Sequence, residues 1–561
     1  MYEIADLLEL QGVSFKPRAY IRAARNIDSM KEDLTDHYEE GKLQEIQGVG
    51  KAIEDKIIEI IETGKLKYLD DLHEEIPPGL IKVMKVPDIG PKKAKALYDE
   101  IGVDSIDGLR EKAEAGEIAG IKGFGEKTEE KILRGIRMLE AVSGRHLMHE
   151  MIPLAQEIIE HIGPHANQIE RCGSLRRWQE TIGDLDILAT GDTDTIMEAL
   201  VGFPGVEEVL ARGDTKTSVR LIGGIQADLR VVEPESFGAA LQYFTGSKEH
   251  NVRLRQYAID KGFKLNEYGL FHKDSEEKAA GETEEAIYET LGMAWIPPEL
   301  REDHGEIDAA LKGKLPELIT IDDVKGDLQM HSNWSDGENT IMELAKEAEK
   351  RGYQYIAITD HSQGLSIANG LTSQDLEERS EEINQVQVNT DVHILNGIEV
   401  DIKKNGSLDM DSETLEGLDI VLGAIHSNFS MDSREQTARI TDAFSTGLID
   451  IFAHPTGRKI GEREPYAVNM NEIISSAVDN GVALEINASP IRLDLDSLDA
   501  RMAMERGSYI SIGTDAHSLH HMDFMKYGVG VARRAWLEDE KVINTYSHEE
   551  LNKFLEGRKN G

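Results

Sequence analysis

Through the first 145 positions apolar residues recur three and four apart, the period of an amphipathic helix. A glycine-centred turn interrupts that period three times. IQGVGKAIEDKI (46–57), VPDIGPKKAKAL (86–97) and IKGFGEKTEEKI (121–132) each read as helix, tight turn, helix. The second keeps only Gly90 of the glycine pair, with Asp88 in the first glycine's place. Their intervals are too uneven for a solenoid, so the copies predict separate docking points. From about 146 the pattern shortens to β-rich runs: QIERCGSLRR, GDLDILAT, TSVRLIG and GIQADLRVV, interrupted by the helix-like TDTIMEALVG. A helical segment spans 235–262, LNEYGLFH follows, and the proline- and charge-rich WIPPELREDHGEIDAALKGKLPELIT reads as a covering linker. Beyond 326 strands and helices alternate, with YIAITD, VHILNGIEV, IVLGAIH, LIDIFAHP, VALEINA and YISIGTDAH as the strands. That is βα repetition, which predicts a barrel or a parallel sheet with its chemistry at the carboxyl edge.

A chain of 561 residues with 40% hydrophobic residues holds three to five cored domains. No apolar run reaches the ~18 residues of a membrane span, and the first residues lack a secretory signal's basic start. A single cysteine, Cys172, excludes an internal disulfide and fits the cytoplasm. The formal net charge of −43 argues against a protein that coats nucleic acid with basic side chains. Any grip on phosphate must come from backbone amides, local cations or metals.

The hairpins offer that grip. A Gly-x-Gly turn opening a helix presents free N–H groups and the positive end of the helix dipole. Gly48 and Gly50, Gly90, and Gly123 and Gly125 are the DNA-backbone candidates, with Lys51, Lys92, Lys93 and Lys127 beside them. In CGSLRRWQETIGDLDILAT, Gly173 and Ser174 can cradle phosphate and Arg177 can neutralise it. Asp184 and Asp186 alternate on one strand, so both carboxylates face one side. Asp228, from a neighbouring strand, would complete a two-metal site for Mg²⁺ or Mn²⁺.

Over residues 1 to about 310 these motifs resemble, in order, a family X DNA polymerase of the polymerase-beta group. The resemblance implies that Ser174, Arg177 and Gly183 hold a triphosphate and that Asp184, Asp186 and Asp228 carry metal, Asp228 also serving as base for the primer 3′-OH. In YFTGSKEHNVRLR it implies that Tyr243, Phe244 and Gly246 pack on the incoming sugar. Asn251 would contact the base and Arg255 the template strand. GVGKAIEDKIIEIIETGKLKYL resembles the family's lyase domain, with Lys16 and Tyr20 at a 5′-phosphate. Lys56 is then either a Schiff-base lysine or a solvated helix lysine. A Schiff-base lysine must be neutral, and Glu54, Asp55 and Glu59 oppose that.

The second half offers a ligand at each of six strand ends: DLQMHSNWSDG (327–337), ITDH, GIEVD, GAIHSN, FAHP and GTDAH. Histidine with carboxylate suits Mn²⁺, Zn²⁺ or Fe²⁺. The set resembles a PHP (polymerase and histidinol phosphatase) domain, a distorted (β/α) barrel holding up to three divalent metals for phosphoester hydrolysis. The implied ligands are His331, Asp336, His361, Glu399, His426, His454, Asp515 and His517. The family's opening His-x-His is Gln329-Met330-His331 here, so Gln329 is expected to be a weak ligand.

The expected fold is multidomain α+β and α/β. A lyase-like helix-hairpin-helix region (1–75) and a fingers-like helical region (76–145) precede a nucleotidyltransferase palm with a mixed sheet (146–235). A thumb-like region (236–310), a linker (311–325) and a PHP barrel (326–561) follow. The expected enzyme is a monomeric, cytoplasmic DNA repair polymerase that adds dNTPs to gapped or primer–template DNA, with a 3′-5′ exonuclease or end-processing phosphoesterase in its PHP domain. The competing readings are a repair nuclease whose polymerase half positions DNA, and a DNA-end scaffold with vestigial metal sites.

Overall fold

A computed structural model describes the chain apart from residues 14, 15, 29–33, 40, 64, 78, 87, 88, 143, 366, 367, 560 and 561. Asp88 therefore lies outside the described residues. The fold divides into two compact units, Met1–Ser143 with Gly461–Arg463, and Gly144–Ile460 with Glu464–Gly561. Among the described residues no helix is long and apolar enough to cross a membrane.

The first unit is helical around one apolar core that includes Leu7, Leu43, Val83, Leu97, Leu109 and Ile132. Helices Lys51–Thr63, Pro91–Ile101 and Glu126–Val142 begin at the three predicted turns. In each, the glycine carbonyl just ahead of the helix accepts its first bonds: Gly50 from Ile53, Gly90 from Lys93 and Gly125 from Thr128. Gly48 and Gly123 have φ of +87° and +94°, where a side chain would be strained. The first turn follows a three-residue 3₁₀ segment, Leu43–Glu45, in place of the expected α-helix, between Gly41 and Gly48, which both have positive φ.

In the second unit a five-stranded mixed sheet runs in the order Gln168–Arg171, Asp184–Thr190, Gln226–Val231, Lys216–Leu221, Val206–Arg212. Only the central pair, Asp184–Thr190 with Gln226–Val231, is parallel. The strand Val206–Arg212 escaped the pattern reading because its charged residues face solvent at the sheet edge. The helical segment 235–262 is two helices, Phe237–Thr245 and Lys248–Asp260, broken at Gly246, whose φ is +74°. Three antiparallel strands and helix Glu284–Thr290 follow.

The supposed linker after 295 is ordered: Leu300, Ile307 and Ala310 enter an apolar core, and both Arg301 and Glu306 are fully buried, Arg301 paired with Glu284 and Glu306 hydrogen-bonded to His250 and to the Asp303 and His304 N–H groups. Its polar composition satisfies buried partners as well as covering surface. Within 311–325, Ile319 is buried too. Seven parallel strands then run in chain order from Gly326–Met330 to Ile510–Gly513. The ends meet where His331 N–H donates to Ala516 O at 2.8 Å and Asp515 N–H to Gln329 O at 3.1 Å, which all but closes the barrel. Part of the barrel's apolar core, including Ile398, Leu484 and Ile512, is continuous with the core of the mixed sheet.

Candidate active sites

Parallel pairing sets Asp186 directly beside Asp228, two residues along from Asp184. Burial and the charges of Asp184 and Asp228 raise the pKa of Asp186 to about 7. Burial also works against ionisation of Asp228. Hydrogen bonds from Lys216 (2.5 Å), Ser218 and Gln226 (3.0 Å) outweigh it, so Asp228 stays ionised below the ordinary carboxylate range. Three carboxylates, two of whose charges disfavour ionisation of the third, form a site short of positive charge, which fits a divalent cation.

Gly173, at φ +62°, opens the short helix Gly173–Arg176. A Cβ there would lie 2.5 Å from Asp186 Oδ2, so glycine lets the Ser174 loop sit against the carboxylates. Gly183 immediately precedes the Asp184 strand, and Arg145 Nε donates to Thr181 Oγ1 at 2.8 Å beside it. Arg177 donates through Nε to Glu302 at 3.0 Å and through Nη1 to Thr245 O. A Cβ on Gly246 would come within 3.0 Å of that same Nη1. Tyr243 and Phe244 meet edge to face at 5.1 Å, with the Arg230 guanidinium 4.3 Å over Phe244.

Asn251 accepts from Gln242 at 2.7 Å and donates to Tyr243 O at 2.7 Å, and its amide has one further N–H. Arg255 Nε donates to Asn251 O at 3.2 Å. Behind Arg177, Arg176 and the buried Arg301 both pair with Glu284, and Trp295 Nε1 donates to it at 3.1 Å. The sequence reading passed over this charge cluster, because its members lie up to 125 residues apart in chain order.

In the first unit Lys16, Tyr20, Gly48, Gly50, Lys51, Lys56 and Tyr68 line one cleft of about 740 Å³. Lys56 Nζ donates to Ala52 O at 3.1 Å and sits 4.5 Å over the Tyr68 ring. Lys51 pairs instead with Glu54 and Asp55. Gly90, Gly123 and Gly125 belong to the other two hairpins.

At the carboxyl edge of the barrel four of the eight predicted ligands, His331, His361, His426 and His454, surround a fifth, Glu399, which is buried. His454 Nε2 lies 2.9 Å from it, His361 Nδ1 and His426 Nε2 3.2 Å, and His331 Nε2 3.4 Å. His331 Nε2 also meets Asp515 at 3.2 Å, and His517 Nε2 meets Asp336 at 3.4 Å. Candidate ligand atoms of His331, Asp336, His361 and His517 lie within 4.8 Å of one another, as do those of His361, Glu399 and His426.

Despite this crowding, among the described residues His331 Nδ1 and Nε2, His361 Nδ1, His426 Nδ1, His454 Nδ1 and Glu399 Oε2 are buried without a hydrogen-bond partner. Orphaned imidazole nitrogens facing a carboxylate are the donor set of Mn²⁺, Zn²⁺ or Fe²⁺, so the residues present fit such ions. Burial presses His361 down to about 4, which leaves its imidazole neutral for a metal. Burial opposes charge on Asp336 too, but His517, His331 and His361 hold it down to about 2.

Gln329 is fully buried, and its amide sits against Glu485, to which the NH₂ donates in the orientation that satisfies both groups. Glu485 was missed because it lies mid-strand in VALEINA, with no histidine beside it. Asp401, 3.5 Å from His426 Nδ1, is a second unforeseen acid.

Family models match four stretches: a helix-hairpin-helix domain at 1–66, a SAM-like helix-hairpin-helix tandem at 80–138, a DNA polymerase beta thumb at 240–302 and a PHP domain at 327–489. The chain is 39% identical over 559 residues to the DNA polymerase/3′-5′ exonuclease PolX of Bacillus subtilis (strain 168), covering 98% of this chain and 97% of that one. DNA polymerase lambda of Rattus norvegicus is 24% identical over 334 residues, 53% of this chain and 54% of that one. A probable phosphatase of Thermoanaerobacter sp. (strain X514) is 31% identical over 218 residues, 37% of this chain and 84% of that protein.

Proposed function

The chain belongs to the family X DNA polymerases that carry a PHP domain, and we propose that its palm fills short gaps while its barrel trims 3′ ends. It is a metal-dependent DNA polymerase with a 3′-5′ exonuclease, and DNA and dNTPs are its substrates. The observation that carries the finer reading is the pairing of Asp186 with Asp228 on parallel strands beside Asp184.

On this reading those three carboxylates would hold Mg²⁺ or Mn²⁺, whose positive charge would offset that of the transferring phosphoryl group. Arg177 and the Ser174 and Gly183 amides orient the triphosphate. Tyr243, Phe244 and Gly246 form the wall against the sugar, and Asn251 and Arg255 face the base and template. Asp228 is already ionised, as a proton acceptor must be. Its low pKa makes it a weak base, so its charge contributes more than its basicity.

In the barrel the eight histidines and acids would hold up to three of Mn²⁺, Zn²⁺ or Fe²⁺, with Gln329 a weak contributor. His361 and His454 present nitrogens there and Glu399 shares its carboxylate among them. The hairpin glycines grip the DNA backbone through amides, which reconciles an acidic chain with a polyanionic substrate. Gathering of Lys16, Tyr20 and Lys56 in one cleft favours a 5′-deoxyribose-phosphate lyase as a further activity. We take the enzyme to act as a monomer in the cytoplasm.

The test is a one-nucleotide-gapped duplex whose primer is labelled at its 5′ end. With dNTPs and Mg²⁺ the labelled primer should lengthen by one nucleotide, and without dNTPs it should shorten from the 3′ side. Shortening without lengthening would reduce the palm to a DNA-positioning module.

A further inference from the structure

The barrel's helix Met525–Arg534 ends against the loop that carries Arg177. Arg534 is nearly buried there, and its Nη1 donates both to the backbone O of Arg177, at 2.7 Å, and to Glu302 Oε1, at 3.0 Å. That carboxylate oxygen also accepts Arg177 Nε at 3.0 Å and Gln179 Nε2 at 2.6 Å. One barrel guanidinium therefore holds the Arg177 backbone directly and its side chain through Glu302.

The surrounding packing leaves little slack. Trp178, at φ +56°, lies against Gly530, where a Cβ would stand 2.5 Å from the indole Cε3. Arg533, next in line, donates to Glu299 and to Ile319 O, both at 2.8 Å. With Nε and Nη1 committed, the Nη2 edge of Arg177 has no hydrogen-bond partner among the described residues. That edge is the one a phosphate oxygen can use. Burial disfavours charge on Glu302, but Arg177 and Arg534 outweigh it and keep the carboxylate ionised.

We propose that Arg534, a residue of the hydrolytic barrel, is a positioning residue for the polymerase: through Glu302 and the Arg177 carbonyl it aims Arg177 at the incoming triphosphate. This rests on the reading of Arg177 as a triphosphate ligand. The nucleotide site of the palm is then completed by the barrel, and the two halves are one polymerising unit.

The experiment measures steady-state dNTP incorporation on gapped DNA by the full chain. Arg534→Met keeps the side-chain stem in place. It should raise KM for dNTP about tenfold with kcat changed less than about threefold, the size of an ordinary coupling between sites. DNA affinity and 3′-5′ hydrolysis should stay as in the parent. Arg534→Lys, with three donors for the two acceptors, should recover most of the KM. In an Arg177→Ala background, Arg534→Met should have no further effect on KM, because the group it positions is gone.

An Arg534→Met enzyme with unchanged KM, beside an Arg177→Ala enzyme with raised KM, overturns the positioning role alone. Unchanged KM in Arg177→Ala overturns the triphosphate reading and this proposal with it. Parallel losses in KM, kcat, DNA affinity and hydrolysis, not rescued by lysine, mean that Arg534 merely holds the fold together, which also overturns the proposal.

Discussion

Replacing Asp186 by Asn should separate the needs of catalysis from those of folding. In the metal-free protein Asp186 must ionise beside Asp184 and Asp228, and its pKa is raised from 3.8 to about 7. A folded-state pKa above the unfolded one means that ionisation of this acid opposes folding. The cost is absent below about pH 4, builds between 4 and 7, and is complete above 7. At about 1.4 kcal/mol per unit the ceiling is ~4 kcal/mol, and solvent screening at the open mouth of the site brings it to about 2 kcal/mol. The neutral amide escapes that cost.

Asp186→Asn should therefore be the more stable protein by about 2 kcal/mol at pH 8 in EDTA, a rise of a few degrees in melting temperature. The advantage should fade at pH 4 and shrink when saturating Mg²⁺ stabilises the parent. The same variant should lose nucleotide addition by 100-fold or more, several kcal/mol of transition-state stabilisation. Thermal melts with and without EDTA at both pH values, beside primer extension, read all of this. Equal melting temperatures at pH 8 in EDTA, or a less stable variant, would refute the electrostatic argument for the site.

Three further outcomes follow from other parts of the molecule. Glu284 is held down to about 2, against 4.5 when free: burial opposes its charge, but Arg301 and Arg176 outweigh burial, so it adds stability above about pH 4.5 that is lost as pH falls towards 2. Acid melts of the parent should show that loss, up to ~3 kcal/mol, and Glu284→Gln should flatten it while destabilising the protein at pH 7 by stranding two guanidiniums. Gln329→His should raise the barrel's metal content in elemental analysis and weaken its dependence on added Mn²⁺; equal content and dependence would show that the amide opposite Glu485 is a tuned ligand. Borohydride should trap a covalent adduct between the parent and a 5′-deoxyribose-phosphate end, and Lys56→Ala should abolish it; trapping that persists would assign the Schiff base to another lysine.

What the sequence disclosed was the chemistry that short periods can encode. Asp184 and Asp186 share a face because strands alternate, and His331, His361, His426 and His454 each sit where an apolar run ends. The adjacency of Asp186 and Asp228 needed the parallel register, which no local pattern specifies. Arg301 and Glu306 read as linker because charge and proline usually mark surface, yet both are buried and partnered. Glu485 hid inside an apolar strand, and the Arg534–Glu302 pair spans 232 residues. Long-range polar pairs of this kind leave no periodic trace.

Two independent metal centres in one chain should be separable by single substitutions, and one measurement tests that directly. Asp184→Ala and His454→Ala proteins are given the same gapped duplex, labelled at the primer 5′ end, with and without dNTPs. Asp184→Ala should fail to extend, with residual addition below about 1%, and should still shorten the labelled primer at the parent rate. His454→Ala should extend normally and leave the labelled primer intact when dNTPs are withheld. Loss of both activities in either variant would contradict two separate centres, and extension by Asp184→Ala would remove the palm carboxylates from the chemistry.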